Sequence, residues 1–255
     1  MKLLINTKLQ NIKLYKDKKN FFFNLYTKKA FNILSNFWME YAWNQKYTYR
    51  FTWLGYPIIQ LPDDIINIQE LIYKEKPKYI IETGVAHGGS IVFYASIAKL
   101  LNLKKVIGIE KKIRKKNLIK LKKSPLKNFF QIIEGDSTSP KIVKKVSSII
   151  KKEKTLVILD SNHSFDHVYK ELISYSNILK KNSFIIATDG IVDVMKFAPR
   201  RFKYNKKGGP VLAIKKFLVK NKKFEEFLPT NLFNESKVDK NLTHWQNGWL
   251  KKIKN

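Results

Sequence analysis

Residues 78–90 read KYIIETGVAHGGS, and the passage inside them from an apolar run into a glycine-rich loop decides the fold. Tyr79, Ile80 and Ile81 are the aromatic and β-branched residues that suit a strand buried in a parallel sheet. Glu82 and Thr83 close that strand, and Gly84, Gly88 and Gly89 punctuate the loop. From Ser90 the run IVFYASIAKLL keeps apolar residues at helical spacing. Strand, glycine loop and helix in this order open a doubly wound α/β fold. They suit a nucleotide-like ligand, because glycines let the backbone approach it and a helix N-terminus offers N–H groups. The spacing is not the G-x-G-x-x-G of dinucleotide enzymes, which argues against NAD or FAD.

Downstream, apolar runs recur at Val106–Ile109, Phe129–Ile133, Thr155–Leu159 and Ser183–Ala187, with helical patterns between them. Five such strands predict a mainly parallel sheet with crossover helices. The runs lead into Glu110, Asp136, Asp160 and Asp189. Ligands in such sheets lie outside the carboxyl ends of the strands, so these four acids and Glu82 are expected along one rim. Glu110, ending the second strand, suits a ribose diol, or is a solvated charge beside Lys111 and Lys112. At the third strand end Asp136 and Ser137 suit a base, or cap the following helix.

Upstream, Asp63 or Asp64 is expected to N-cap a helix through Ile65–Ile72. The aromatic and lysine-rich first fifty residues predict helices near Phe21–Tyr26 and Phe31–Trp43, an extension that covers the domain or meets a partner. A basic helix after Glu110 should turn Ile113, Leu118, Ile119 and Leu121 to the sheet. Past Asp189 a basic loop reaches Gly208, Gly209 and Pro210, and the tail from Phe224 to Lys252, with its Asn247-Gly248 turn, predicts antiparallel edge strands. The division expected is 1–50 for the extension and 51–255 for the α/β domain.

The 255 residues contain no cysteine, which removes disulfides, thiolate metal sites and cysteine nucleophiles. No window approaches the ~18 apolar residues of a membrane span, and the first residues break their apolar runs with lysine. A cytoplasmic protein is the expectation. The net charge of +30 raises nucleic acid as a partner. Yet only Arg50, Arg114, Arg200 and Arg201 of the fifty basic residues are arginine, the residue suited to base and phosphate forks. Compositional bias explains the lysines better, so a basic nucleic-acid-binding protein is only an alternative.

The ordered motifs WLGYPIIQLPDDI, IIETGVAHGGSIVFYAS, VIGIEKKIRKKN, IIEGDSTSP, VILDSNHSFDHVYKELISYSNIL and GGPVLAIKKFL resemble the cephalosporin hydroxylase family. Despite its name, that family has the Rossmann-like fold of class I S-adenosylmethionine-dependent methyltransferases and includes rhamnosyl O-methyltransferases. The resemblance covers residues 51 to about 225. It implies that Glu82, Gly84, Gly88 and Ser90 surround the methionine part of S-adenosylmethionine, with Thr83 and Gly89 in the same turn. Glu110 would hold the ribose, and Asp136 and Ser137 would lie at the adenine. Asp160 and Asp189 would hold Mg²⁺, although Thr188 stands where the family's fifth-strand acid pair begins.

The activity implied is O-methylation of a sugar hydroxyl on a glycolipid or surface-polysaccharide precursor, as in lipopolysaccharide biosynthesis. A hydroxylase, as the family's name says, or a noncatalytic partner subunit are the alternatives, and a homo-oligomer stays open. Methyl transfer from a sulfonium needs in-line positioning and removal of the hydroxyl proton. Either a metal at Asp160 and Asp189 or His163 as base could serve. His163 could equally satisfy a loop carbonyl. His167 is expected to face the core or a neighbour, His87 could touch the cofactor but is no base by itself, and His244 has no context.

Overall fold

The computed structural model describes residues 2–200, 208–238 and 240–255. Its first surprise is at the N-terminus. Three strands, β1 (Lys2–Asn6), β2 (Asn11–Lys16) and β3 (Lys19–Asn24), form an antiparallel sheet where a helix was expected over Phe21–Tyr26. The cause is the pair Asp17-Lys18, both at positive φ, which closes a two-residue hairpin opposite the Lys16–Lys19 pair. Positive φ at both turn residues matches the twist of the flanking strands, and the three phenylalanines favour a pleated surface. The expected second helix exists as α1 (Lys28–Asn44), capped by the Thr27 hydroxyl, which accepts from Ala30 N at 3.2 Å.

A one-turn 3₁₀ segment at Tyr47–Arg50 and the short ladder β4 (Thr52–Trp53) and β5 (Tyr56–Pro57) lead to α2 (Pro62–Glu75). Neither Asp63 nor Asp64 caps α2. Its cap position is Leu61, with Pro62 in the first turn. Asp64 is instead fully buried and accepts from the Thr243 hydroxyl and from His244 N. It ties the C-terminal tail to the body.

The α/β alternation then runs β6 (Tyr79–Thr83), α3 (Gly89–Leu100), β7 (Lys105–Glu110), α4 (Lys115–Lys122), β8 (Phe130–Glu134), α5 (Pro140–Ile150) and β9 (Thr155–Leu159). It continues through α6 (Phe165–Ile178), β10 (Phe184–Ala187), α7 (Ile191–Val194), α8 (Pro210–Lys220), β11 (Phe224–Glu226) and β12 (Trp249–Lys252). The seven-stranded sheet has the order β11-β12-β10-β9-β6-β7-β8. Its five central strands are parallel, and β12 runs antiparallel between β10 and β11, which makes the expected antiparallel edge. Residues 201–207 of the expected basic loop lie outside the described residues.

Both faces of the sheet are buried, so its strands are continuously apolar and divide by parity. Ile80, Val106, Leu156 and Phe184 pack with α2 and α3, while Ile81, Ile107, Val157 and Ile185 pack with α5, α6 and α8. On α4, Leu121 is buried as expected, but Ile119 is exposed. That helix is only eight residues long and its apolar stripe is correspondingly narrow.

Chain order changes direction at β6. The chain winds outward through β7 and β8, then returns to place β9 on the other side of β6. The crevice at the carboxyl ends of β6 and β9 is therefore a topological switch point, where doubly wound sheets bind ligands.

Candidate active site

Two loops meet at that crevice so closely that glycine is required. Gly84 has φ +85°, and a Cβ there would run into the Asp160 backbone carbonyl at the end of β9; one on Gly89 would strike the Pro57 carbonyl. Sequence reasoning assigned these glycines to close approach of a ligand. The structure shows that protein backbone occupies the side on which a Cβ of Gly84 or Gly89 would stand.

Above the loops lies a cavity of about 370 Å³, within the range of small-molecule sites. Gly84, Gly89, Ser90, Glu110, Asp136, Ser137, Asp160, His163 and Asp189 all line it. Four of the five expected acids thus share one cavity. Glu82, Thr83 and Gly88 do not line it. Glu82 and Thr83 are fully buried, and Ser90 Oγ donates to Glu82 Oε2 at 2.7 Å. Burial pushes the Glu82 carboxyl well up, and the charges of Asp160 and Glu110 push it further. Glu82 thus stands behind the wall, where it holds Ser90 at the start of α3.

Glu110 does more than sit at a strand end. Its Oε2 accepts from the N–H of Val85 at 2.9 Å and of Ala86 at 3.0 Å, so the side chain grips the glycine loop with one oxygen. The reading of Glu110 as a solvated charge is thereby excluded. Asp136 Oδ1 accepts from Thr138 N and Oγ1 at 2.8 and 2.7 Å, which holds its carboxyl below the usual range. The cap position of α5 is Ser139, so neither Asp136 nor Ser137 is the helix cap.

At the other end Asp160, His163 and Asp189 each offer a ligand atom, and these atoms lie within 4.8 Å of one another. His163 Nε2 is 3.3 Å from Asp189 Oδ2 and 3.8 Å from Asp160 Oδ1. Burial raises both carboxyls to about 7, as expected where two acids leave water together. His163 moves the opposite way, lowered by burial, and its Nδ1 has no partner among the described residues. Thr188 explains its departure from an acid pair: its hydroxyl lies 2.5 Å from Asp160 Oδ1 and 3.0 Å from Leu159 O. It orients the carboxylate instead of adding a charge.

Several lining residues carried no recognisable signal in the sequence. His167, expected to face core or neighbour, reaches the cavity, with Nε2 3.0 Å from Ser161 Oγ and 3.3 Å from Ser137 Oγ. Its hydrogen bond to the buried Glu171 raises its pKa. Gln60 is buried in the wall, where its amide makes no short hydrogen bond among the described residues but lies near enough to Asp160 and the Tyr94 hydroxyl to favour their charged forms. Trp43, Tyr49 and Arg200 also line the cavity. A glutamine breaking the apolar run PIIQL was the only available hint at Gln60. His87 lines the cavity, whereas His244 lies outside it, buried edge-on to Trp43.

Among the described residues no helix is long and apolar enough to cross a membrane. Known proteins sharpen what this geometry means. The chain is 28% identical over 165 residues to a rhamnosyl O-methyltransferase of Mycobacterium leprae, covering 63% of this chain and 67% of that protein. It is 27% identical over 146 residues to the rhamnosyl O-methyltransferase of Mycobacterium tuberculosis H37Rv, covering 56% of this chain and 58% of that one. The chain therefore spans little more than half the length of the second relative. A solved structure of CmcI with Mg and SAM superposes with a TM-score of 0.53 at 17% identity, over 80% of this chain and 77% of that one. A putative caffeoyl-CoA O-methyltransferase from Staphylococcus aureus gives 0.51 at 19%, over 89% and 99%. The fold is that of class I S-adenosylmethionine-dependent methyltransferases, as the sequence led us to expect. The Rhamnosyl O-methyltransferase/CmcI family model matches residues 45–253, and the chain belongs to that family.

Proposed function

We propose that this chain is an S-adenosylmethionine-dependent O-methyltransferase acting on a hydroxyl of a sugar, in a glycolipid or polysaccharide precursor. The observation that carries the reading is the joining, in one cavity, of Glu110 at the end of β7 with the Asp160–His163–Asp189 cluster at the ends of β9 and β10. Family membership supports the reaction class, and the names of the mycobacterial relatives support the sugar acceptor.

The residues present fit the cofactor. Glu110 has an oxygen beyond the one spent on the loop for a ribose hydroxyl. Asp136, Ser137 and His167 offer polar atoms for the adenine, and Ser90 with the Gln60 amide suits the amino acid moiety. S-adenosylmethionine supplies a methyl group on a good leaving group, so the protein's share is alignment and proton removal.

The cluster also fits a divalent cation. Burial leaves the charged forms of its two carboxyls poorly solvated, a cost that a bound cation would offset, and it keeps His163 neutral, as a ligand imidazole must be. Such an ion lowers the pKa of a hydroxyl bound to it. Thr188 steadies Asp160 for this role. His163 is either the third ligand or the base, and both uses need Nε2.

Calorimetric titration with S-adenosylhomocysteine tests the reading. Binding that falls at least about tenfold in Glu110→Ala is expected, from loss of a charge-assisted hydrogen bond. No binding by the wild-type chain, with or without Mg²⁺, contradicts it.

A further inference from the structure

Arg200 is one of only four arginines among the fifty basic residues, and it stands in the cavity wall. Its guanidinium carbon lies 5.3 Å from the centre of the Trp43 ring and 5.6 Å from that of Tyr49. Nη1 donates to the Trp43 carbonyl at 2.6 Å. Among the described residues it closes no salt bridge and makes this one side-chain hydrogen bond, which leaves most of the fork's five donors unspent on them. Cation–π contacts hold the plane while leaving its edge open.

The backbone that carries it is also fixed. The buried Glu40 carboxylate, on α1, accepts from the N–H groups of Lys196, Phe197 and Ala198 at 2.8–3.1 Å. Arg200 N adds a longer bond of 3.4 Å to Asn44 Oδ1. The arginine is thus placed by the helix preceding the α/β body, which gives the N-terminal region a part in the site.

Packing puts it at the Asp189 end: Trp43, which braces it, and Ala198, two residues before it, cluster with Ile191 and Val192 of α7, the helix that follows Asp189. The guanidinium is the opposite charge that draws the Asp189 carboxyl down against burial. His244, edge-on to Trp43, is kept neutral by burial and by this same arginine, so Arg200 is the positive group offered there. A flat fork with spare donors recognises a carboxylate or phosphate better than a hydroxyl, and lysine cannot imitate it.

We propose that Arg200, braced by Trp43 and Tyr49, is a subsite for an oxyanion on the acceptor, so that the methylated hydroxyl belongs to an acidic sugar: a uronic acid or a sugar phosphate. This rests on the methyltransferase reading and deepens it, since it names the acceptor's charge.

Saturation-transfer NMR on the full chain with S-adenosylhomocysteine and Mg²⁺ tests it, using glucuronate, glucose 1-phosphate and glucose as probes. Glucuronate or glucose 1-phosphate should take up saturation and glucose much less, and the stronger of the two identifies the anion. In Arg200→Ala the anionic signal should fall about tenfold, the worth of a charge-assisted hydrogen bond, with Arg200→Lys between. Equal signals from glucose and the anions, no signal from either anion, or an Arg200→Ala response like wild type each overturn the subsite. S-adenosylhomocysteine titrations on the same samples keep the two claims apart: wild-type binding with a failed sugar test defeats the subsite alone, and absent binding defeats the methyltransferase reading. Should Arg200→Ala fail to bind S-adenosylhomocysteine, Arg200→Lys replaces it and must show a weakened anion signal.

Discussion

Thr188 and His244 show how single side chains set the chemistry of this cavity from behind its surface. The Thr188 hydroxyl is spent on Asp160 and Leu159 O, in a site with almost no solvent. Thr188→Val keeps the shape and removes the donor, and should cost about 1.5–3 kcal/mol in urea unfolding while weakening Mg²⁺ binding, because Asp160 loses its orientation. An unchanged Mg²⁺ affinity would show that the hydroxyl does not position the carboxylate. His244 lies buried against Trp43 with its pKa pushed down to about 4. The unfolded chain protonates near 6.5, so between about 6.5 and 4 the unfolded state binds more protons and stability is lost as pH falls. At about pH 5 that loss is on the order of 2 kcal/mol. His244→Phe should therefore gain on wild type by about that amount between pH 7.5 and 5, read as the difference in urea midpoints. The raised carboxyls of Asp64 and Glu82 act in the opposite direction in both proteins and cancel from the difference.

Between β6 and α3 the sequence spoke most clearly, because strand period, glycines and helical spacing all lie within one continuous stretch. Glu110, Asp136, Asp160 and Asp189 were legible for the same reason: the end of a parallel strand is a fixed address in a doubly wound sheet. What the glycines do was not legible, since the Asp160 carbonyl they accommodate is distant in sequence. Gly84→Ala places a Cβ against that carbonyl at φ +85°. It should cost about 2 kcal/mol or more, from strain plus collision, and carry Asp160 out of the cluster. A variant as stable as wild type, with intact Mg²⁺ binding, would mean the two loops are not locked together. The hairpin at Asp17-Lys18 was missed because phenylalanines near Phe21 also fit a loose helical period, and turn chemistry outweighed that pattern. Gln60, Trp43 and Arg200 reach the cavity from three separate elements, and only packing brings them together.

For the whole molecule, the division at residue 50 meets a cluster that crosses it: Met39 and Trp43 pack with Leu61, Ile191, Val192, Met195 and Ala198. The three N-terminal strands are largely exposed, Ile12 being their one fully buried residue among those described. Removing residues 1–26 should therefore leave S-adenosylhomocysteine affinity within about twofold of the full chain, whereas removing 1–50 should cost several degrees of Tm and expose that cluster. Equal effects of the two truncations would place the boundary where composition alone put it. The excess of lysine lies mostly on the surface, away from the cavity's recognition chemistry, in which the ionisable groups are carboxylates, imidazoles, the Tyr49 phenol, Lys111 and Arg200. Methyl transfer as proposed requires that one cavity receive both cofactor and cation. A crystal structure grown with S-adenosylhomocysteine and Mn²⁺ examines this directly. It should show the ribose hydroxyls on Glu110 and an anomalous manganese peak among Asp160, His163 and Asp189; a nucleoside bound away from Glu110, or manganese absent from that cluster, would contradict it.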